Sequence, residues 1–235
     1  MNKILLAVLL LYPFAMSGYN VSTEPTHRAA LIEEFTGIHC PNCPDGHNVA
    51  TMLATLHPNE IYTVAIHAGN YAYPYAAEPD FRIPLGEVLH EHSNVPFYPS
   101  AVISRRTYSG NFAMSRSDWG AACRDVINEI SPVNLWTSSN YDVQTHTITL
   151  DVEGYLTASM NDPRLNVFLL QSEILGPQSG GLLGYEYPHR HMLRARLTDN
   201  DMGDVIETKS EGEFFERKFS YVLPEEIGGV PIDPV

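Results

Sequence analysis

Apolar and polar positions divide this chain into two regimes. From Ala29 to Phe35 the run is mostly apolar, as in a strand buried on both faces. Cys43–Leu56 changes period: Val49, Ala50, Leu53 and Leu56 fall on one face at helical spacing. Pro44 fits the first turn of that helix, where an N–H has no acceptor to lose, and His57-Pro58-Asn59 ends it. Ile61–Ile66 reads as a short central strand, so strand, helix and strand follow in the sense of a parallel crossover. Ala68–Phe81, rich in Tyr, Ala and Pro, reads as an inserted loop, and Leu85–Glu91 as a short helix. Pro96-Phe97-Tyr98-Pro99 leads into a strand at Ser100–Ser104. Trp119, Ala122, Cys123, Val126, Ile127 and Ile130 then predict a helix over Ser117–Ile130, capped by Ser117.

Beyond Pro132 the period drops to two. Ile148, Leu150 and Val152 alternate with Thr147, Thr149 and Asp151; Leu165, Val167 and Leu169 continue a strand pattern; Phe215, Phe219, Tyr221 and Leu223 alternate with polar neighbours. About five such strands predict a mostly antiparallel, β-sandwich-like second domain, an incomplete version of the roughly seven-stranded immunoglobulin-like plan. The expected organisation is a leader over residues 18–27, an α/β domain over 28–131 and the β-rich domain over 132–235, trimmed at its C-terminus, where Pro231-Ile232-Asp233-Pro234-Val235 offers no strong closing strand.

The N-terminus adds a destination. Met1-Asn2-Lys3, the apolar core Ile4–Leu11 and the small residues around Ala15-Met16-Ser17 have the layout of a secretory signal cleaved before Gly18. That apolar core is too short to span a bilayer, so the mature protein is expected to be exported, in the periplasm or at the outer membrane, and not membrane-spanning. A net charge of −14 over 235 residues argues against a nucleic-acid partner, which demands clustered Lys and Arg.

The chemistry concentrates in Glu34-Phe35-Thr36-Gly37-Ile38-His39-Cys40-Pro41-Asn42-Cys43. Of the three cysteines, Cys40 and Cys43 form a Cys-x-x-Cys pair, and Cys123 sits on the apolar stripe of a helix, where an inert buried thiol is expected. A thiol at a helix start has its thiolate stabilised by free N–H groups and the dipole, so Cys40 is the candidate nucleophile. A protonated His39 would add to that effect with its ring facing the sulfur. Cys43 would resolve the mixed disulfide after losing its proton to a base such as Glu34. Other readings of the same residues stay open: a structural disulfide, a zinc site completed by His39 or His47, or a Cu(I) site completed by His67, His90 or His92. Glu34 also reads as a solvated strand residue. Tyr187-Pro188-His189-Arg190-His191 offers a His-x-His pair on one strand face with no third ligand evident, so a polar strand face is the simpler reading. Tyr71, Tyr73 and Tyr75 suit either a peptide groove beside the cysteines or a loop packed on its own aromatics.

The first half resembles a thioredoxin fold. Leu31-Ile32-Glu33-Glu34-Phe35 is similar to the strand entering a thioredoxin site, and Cys40 and Cys43 take the nucleophilic and resolving positions. The resemblance implies that Glu34 is the buried carboxylate that moves the resolving proton, and that Pro99 is the cis-proline lying against the disulfide. It departs at His39, where tryptophan is usual, at Pro41-Asn42 in place of Gly-Pro, and at the lengthened Ala68–His92 crossover. The whole arrangement is similar to the twenty-eight-kilodalton outer-membrane protein family of Bacteroidetes-type bacteria, through Glu33–Gly37, His39–His47, Tyr98–Arg105 and Tyr187–Arg194. These resemblances imply an exported thiol–disulfide oxidoreductase of the cell envelope, with Cys40, Cys43, Glu34 and Pro99 catalytic and with His39, Pro41, Asn42 and Tyr98 against the substrate. Such a protein calls for no cofactor and no metal, and its partners are protein thiols or disulfides and an envelope or surface protein. The alternatives are a surface binding or adhesion protein on a thioredoxin scaffold and, below it, a copper or zinc binder.

Overall fold

The computed structural model describes residues 18–232. The signal expected over residues 1–17 and the last residues of the tail, 233–235, lie outside the described residues.

Strand β1 (Ala30–Thr36) runs through the middle of the molecule and sends alternate side chains to two different cores. Ala30 and Ile32 pack with Leu53 of helix α1 (Cys43–Leu56) and Trp119 of α3 (Arg116–Ile127). Phe35 packs on the opposite face with Leu85 and Leu89 of α2 (Pro84–Ser93). Alternation therefore puts Glu34 and Thr36 on the face covered by α1 and Glu33 on the face of α2. β2 (Ile61–His67) pairs in parallel with β1, Glu34 opposite Ala65 and Thr36 opposite His67, so His67 joins the face of α1. β3 (Ser100–Ile103) and β4 (Met114–Ser115) follow antiparallel, and the Tyr98–Pro99 peptide just before β3 is cis. The strand order β4-β3-β1-β2, with α1 as the crossover between β1 and β2, is what the thioredoxin resemblance implies.

Helix ends match local chemistry. α1 starts with Pro in its first turn and stops where the His57 N–H returns to the Leu53 carbonyl before Pro58. α2 likewise begins at a proline and ends at Asn94, in the left-handed conformation that closes a helix. α3 departs from expectation. Ser115, not Ser117, holds the cap position, and the helix stops at Ile127 because Ile130 leaves it to bridge His27 antiparallel.

The second half is β-rich and antiparallel, but its strands are distributed otherwise than the sequence pattern predicts. β5 (Val133–Asp142), β6 (Thr147–Leu156) and β13 (Phe214–Val222) form one three-stranded sheet over Val152, Leu156, Leu165, Ile206 and Phe215. β7 (Arg164–Leu165) pairs with β12 (Asp204–Val205), β9 (Ile174–Gly176) with β10 (Tyr187–His189), and β14 (Glu226–Ile227) with β15 (Val230–Pro231). The run through Leu165, Val167 and Leu169 breaks after Leu165, and its second part, β8 (Phe168–Gln171), pairs with β11 (Met192–Arg196) instead of joining the three-stranded sheet. β11 in turn lies parallel to β2, so the two strands extend the central sheet to six. The leader is tied to this half: the Asn134 side-chain amide donates to the carbonyls of Ser22 and Glu24.

Candidate functional site

Cys40 and Cys43 are disulfide-bonded where β1 gives way to α1, with Cα atoms 5.4 Å apart. Both residues are buried, at 1% and 0% exposure. Between them Pro41 and Asn42 are exposed. A cleft of ≈ 370 Å³ opens beside Cys40, lined by Cys40, Pro41, Asn42, Tyr71, Phe97 and Tyr98. The structure therefore brings Cys40, Pro41, Asn42 and Tyr98 together. The Tyr98 hydroxyl donates to the Ala68 carbonyl at 3.1 Å and also bonds the His90 ring, which holds the aromatic wall of the cleft in place. Burial pushes the pKa of that hydroxyl up.

Glu34 and Pro99 meet at Gly46, one turn into α1. A Cβ at Gly46 would lie 2.5 Å from Glu34 Oε1 and 2.8 Å from Pro99 Cβ, so glycine is what lets the helix approach both. Glu34 is 3% exposed, and burial holds its carboxyl well above the usual carboxylate range. The sequence alternative of a solvated strand residue is thus corrected, because β1 is covered on both faces. The contacts of His39 are with the Tyr-rich loop. Its ring stacks on Tyr75 at 3.9 Å, and Nε2 lies 2.9 Å from Glu78 Oε2 in an electrostatic contact not aligned as a hydrogen bond. Tyr75 thereby packs against the Cys-x-x-Cys loop, and Tyr73 lies under the Arg82 guanidinium.

Two groups of site residues have little local signal in the sequence. One is Gln178, fully enclosed in the second half of the chain. Its Nε2 donates to the carbonyls of Gly37 and Cys40, at 3.2 and 3.0 Å, while the Ser179 N–H donates to the Ile38 carbonyl at 2.7 Å. Gly180 follows at φ 75°, where a Cβ would lie 2.1 Å from the Pro41 carbonyl oxygen, so this loop is clamped directly onto the Cys-x-x-Cys loop. The Gly180-Gly181 pair is the one sequence trace of that close approach.

The other group is a set of buried imidazoles behind Glu34. His47 Nε2 bonds Thr36 Oγ1 and Nδ1 bonds the Tyr187 hydroxyl, both at 2.8 Å, and Nε2 lies 3.9 Å from Glu34 Oε1. His67 packs edge-on against His189 with ring centroids 5.2 Å apart. Burial lowers all three histidines: His47 to about 3, His189 to about 4 and His67 well below its ordinary value. The expected His-x-His face does not form. β10 ends at His189, which is buried, and His191 turns out to solvent at φ 51°. Of the other candidate ligands, His90 is bonded to Tyr98 and His92 is exposed beside Phe112. Among the described residues no group of three or more His, Cys, Asp or Glu is placed to hold a metal ion. Cys123 is buried in the core between α3 and β1, and burial pushes its thiol up to about 12.

As a unit, the site joins a buried small-loop disulfide, a cleft on the Cys40 side, and a buried acid whose carboxyl is held above the usual carboxylate range. Comparison with known proteins adds two kinds of likeness. A family model described as outer membrane protein Omp28 matches residues 87–231. HBP35 of Porphyromonas gingivalis superposes with a TM-score of 0.68 at 17% identity, covering 84% of this chain and 65% of that one, so this chain spans less than two thirds of that protein's length. Protein AGR_C_4864 from Agrobacterium tumefaciens superposes at 0.53 and 11% identity, covering 82% and 78%. At those identities the likeness is one of fold. No curated protein matches the chain.

Proposed function

We propose, from the premise that this chain belongs to the Omp28 outer membrane protein family, that it is an exported thiol–disulfide oxidoreductase of the cell envelope with a thioredoxin-like first half. The observation that carries this reading is the position of the Cys40–Cys43 pair, at the first turn of α1, between an open cleft and a buried, unpaired Glu34. The helix start favours the Cys40 thiolate, and in this reading Glu34 takes the proton of Cys43. The backbone of Tyr98-Pro99 and the exposed Pro41-Asn42 would hold the substrate strand, a protein thiol or disulfide. The clamp from Gln178–Gly180 makes the second half part of the site, not only an attachment to the envelope.

A second reading is favoured by one observation: both cysteines are buried, as in a structural disulfide on a surface binding protein. The reduction potential separates the two. Equilibration in thiol buffers should give a reversible value within roughly −120 to −270 mV for an oxidoreductase, and one below about −300 mV for a structural bond. Cys40→Ser should abolish dithiol-driven reduction of a model disulfide; retained activity would sink the assignment of Cys40.

A further inference from the structure

We propose that the histidine-lined chamber behind the disulfide is the proton exit of the site: a short hydrated path that carries the Cys43 proton from Glu34 to solvent between α1 and β10. This deepens the thiol–disulfide reading and rests on it.

The chamber is a cavity of ≈ 50 Å³ whose wall runs from groups in the deep interior to groups on the surface. Glu34, His67 and His189 are 2–3% exposed, whereas Asn48, Thr51, Arg190 and His191 of the same wall are exposed. Its polar atoms are left open. Glu34 Oε1, both ring nitrogens of His67 and Nδ1 of His189 have no hydrogen-bond partner in the protein. A buried polar atom without a partner costs about 1–3 kcal/mol, so four such atoms around one cavity make a strong case for ordered water. Room for a water needs only about 10–15 Å³, so a cavity this size takes a few.

The groups facing the path come from every element around it. β1 supplies Glu34, α1 supplies His47, β2 supplies His67, and the stretch from β10 onward supplies Tyr187, His189, Arg190 and His191. Arg194 of β11 adds positive charge that opposes protonation of His67. An imidazole held neutral has one donor and one acceptor nitrogen, so it can relay a proton without trapping it. A chain of water and neutral imidazole therefore suits transit, with the one arginine of the wall, Arg190, at its exposed end and ion-paired to Glu173.

In the reducing direction, Cys40 thiolate attacks the substrate disulfide, one substrate sulfur leaves as thiolate, and Cys40 is held in a mixed disulfide. Cys43 thiol gives its proton to the Glu34 carboxylate and attacks Cys40 Sγ. The Cys40–Cys43 bond forms, the bond from Cys40 to substrate breaks, the second substrate sulfur leaves as thiolate, the dithiol is oxidised and the substrate reduced. Glu34 then loses its proton through the chamber, and solvent protonates the departing thiolates.

The test is single-turnover kinetics of the full chain, reading the second step as release of substrate thiol and the first as Cys40 trapping in a Cys43→Ser background. Filling the path with His67→Leu plus His189→Leu should slow the second step by about tenfold or more at neutral pH and alter its pH profile, with the first step unchanged. His189→Gln, which keeps polar atoms in the wall, should restore most of the rate. Normal second-step rates and an unaltered profile in the folded double variant would overturn the proposal. So would a tenfold slowing of the second step in His189→Gln, which is read against the wild type and decides the matter if the double variant does not fold. A wild-type chain that turns over no disulfide at all fails at the earlier reading, and the two failures are thereby told apart.

Discussion

The side-chain amide of Gln178 donates to the carbonyl oxygen of Cys40 at 3.0 Å across 138 residues of sequence. That bond, with its companion to Gly37, fixes the outer edge of the disulfide loop from a strand connection in the other half of the chain. Gln178→Leu keeps the bulk and removes the donor, leaving the Gly37 and Cys40 carbonyls only their local bonds from the Cys40 and Cys43 N–H groups. A cost of about 1–3 kcal/mol is expected from the urea midpoint. Gln178→Glu should cost more, since a carboxylate would face two carbonyl oxygens.

Gly46 gives a prediction in which two effects oppose. Alanine gains about 1 kcal/mol over glycine in a helix interior. Here its Cβ would press on Glu34 Oε1, the end of an enclosed side chain, and at 2.8 Å on the rigid Pro99 ring, and overpacking costs about 1–3 kcal/mol. Gly46→Ala should therefore lower the melting temperature. Gly120→Ala in α3 should raise it, because the nearest atom there, Leu53 Cδ2, is at an ordinary 3.4 Å.

Acid should unfold this protein through its buried histidines. His47 and His189 fall from 6.5 in the unfolded chain to about 3 and about 4 in the fold, and His67 falls further in the same direction. Below pH 6.5 the unfolded chain binds protons that the fold refuses. The histidine contribution is whole above pH 6.5 and is lost as pH falls, at up to about 1.4 kcal/mol per pH unit for each group. His189→Gln should flatten the slope of stability against pH between 6.5 and 4 by about one such unit, measured by urea unfolding at several pH values.

How much of this could be read from residues alone depends on the reach of each signal. α1 matches its expected bounds, Cys43–Leu56, because helical periodicity, a first-turn proline and a proline stop all act within a few residues. Pro41 and Asn42 adjoin Cys40 in the sequence, whereas Tyr98, in the same cleft, was expected there only through the thioredoxin resemblance. β5 was not legible, since its Thr137–Asn140 stretch is polar and exposed and is held by backbone pairing to β6 alone. Nor was β11, whose place beside β2 depends on a single parallel pairing, Met192 with Ala65, set by packing between the two halves. The same distance hid Gln178, Tyr187 and the meeting of His67 with His189. Nothing near Glu34 in the chain says that imidazoles from α1, β2 and β10 will face it.

Two adjacent glutamates test the two faces of β1. Glu33 is buried but paired: Arg105 donates to both its oxygens, the shortest contact being 2.8 Å. Glu34, on the other face, has no cation, and burial holds its carboxyl well above the usual carboxylate range. Glu33→Gln should destabilise the fold by about 1–3 kcal/mol, because charge-assisted bonds are lost and Arg105 is left half-buried without its partner. Glu34→Gln should do the reverse. With its carboxyl raised in the fold, the native state binds the proton more tightly than the unfolded chain, so the wild type loses stability as pH rises from 4.5 toward the folded value. A glutamine carries no such penalty, so this variant should be the more stable at pH 8 and show little difference at pH 4. It should also slow release of substrate thiol, since Cys43 would lose its base. Wild-type turnover in a stabilised Glu34→Gln variant would mean that the carboxyl takes no part in the chemistry and that the proton of Cys43 leaves by another route.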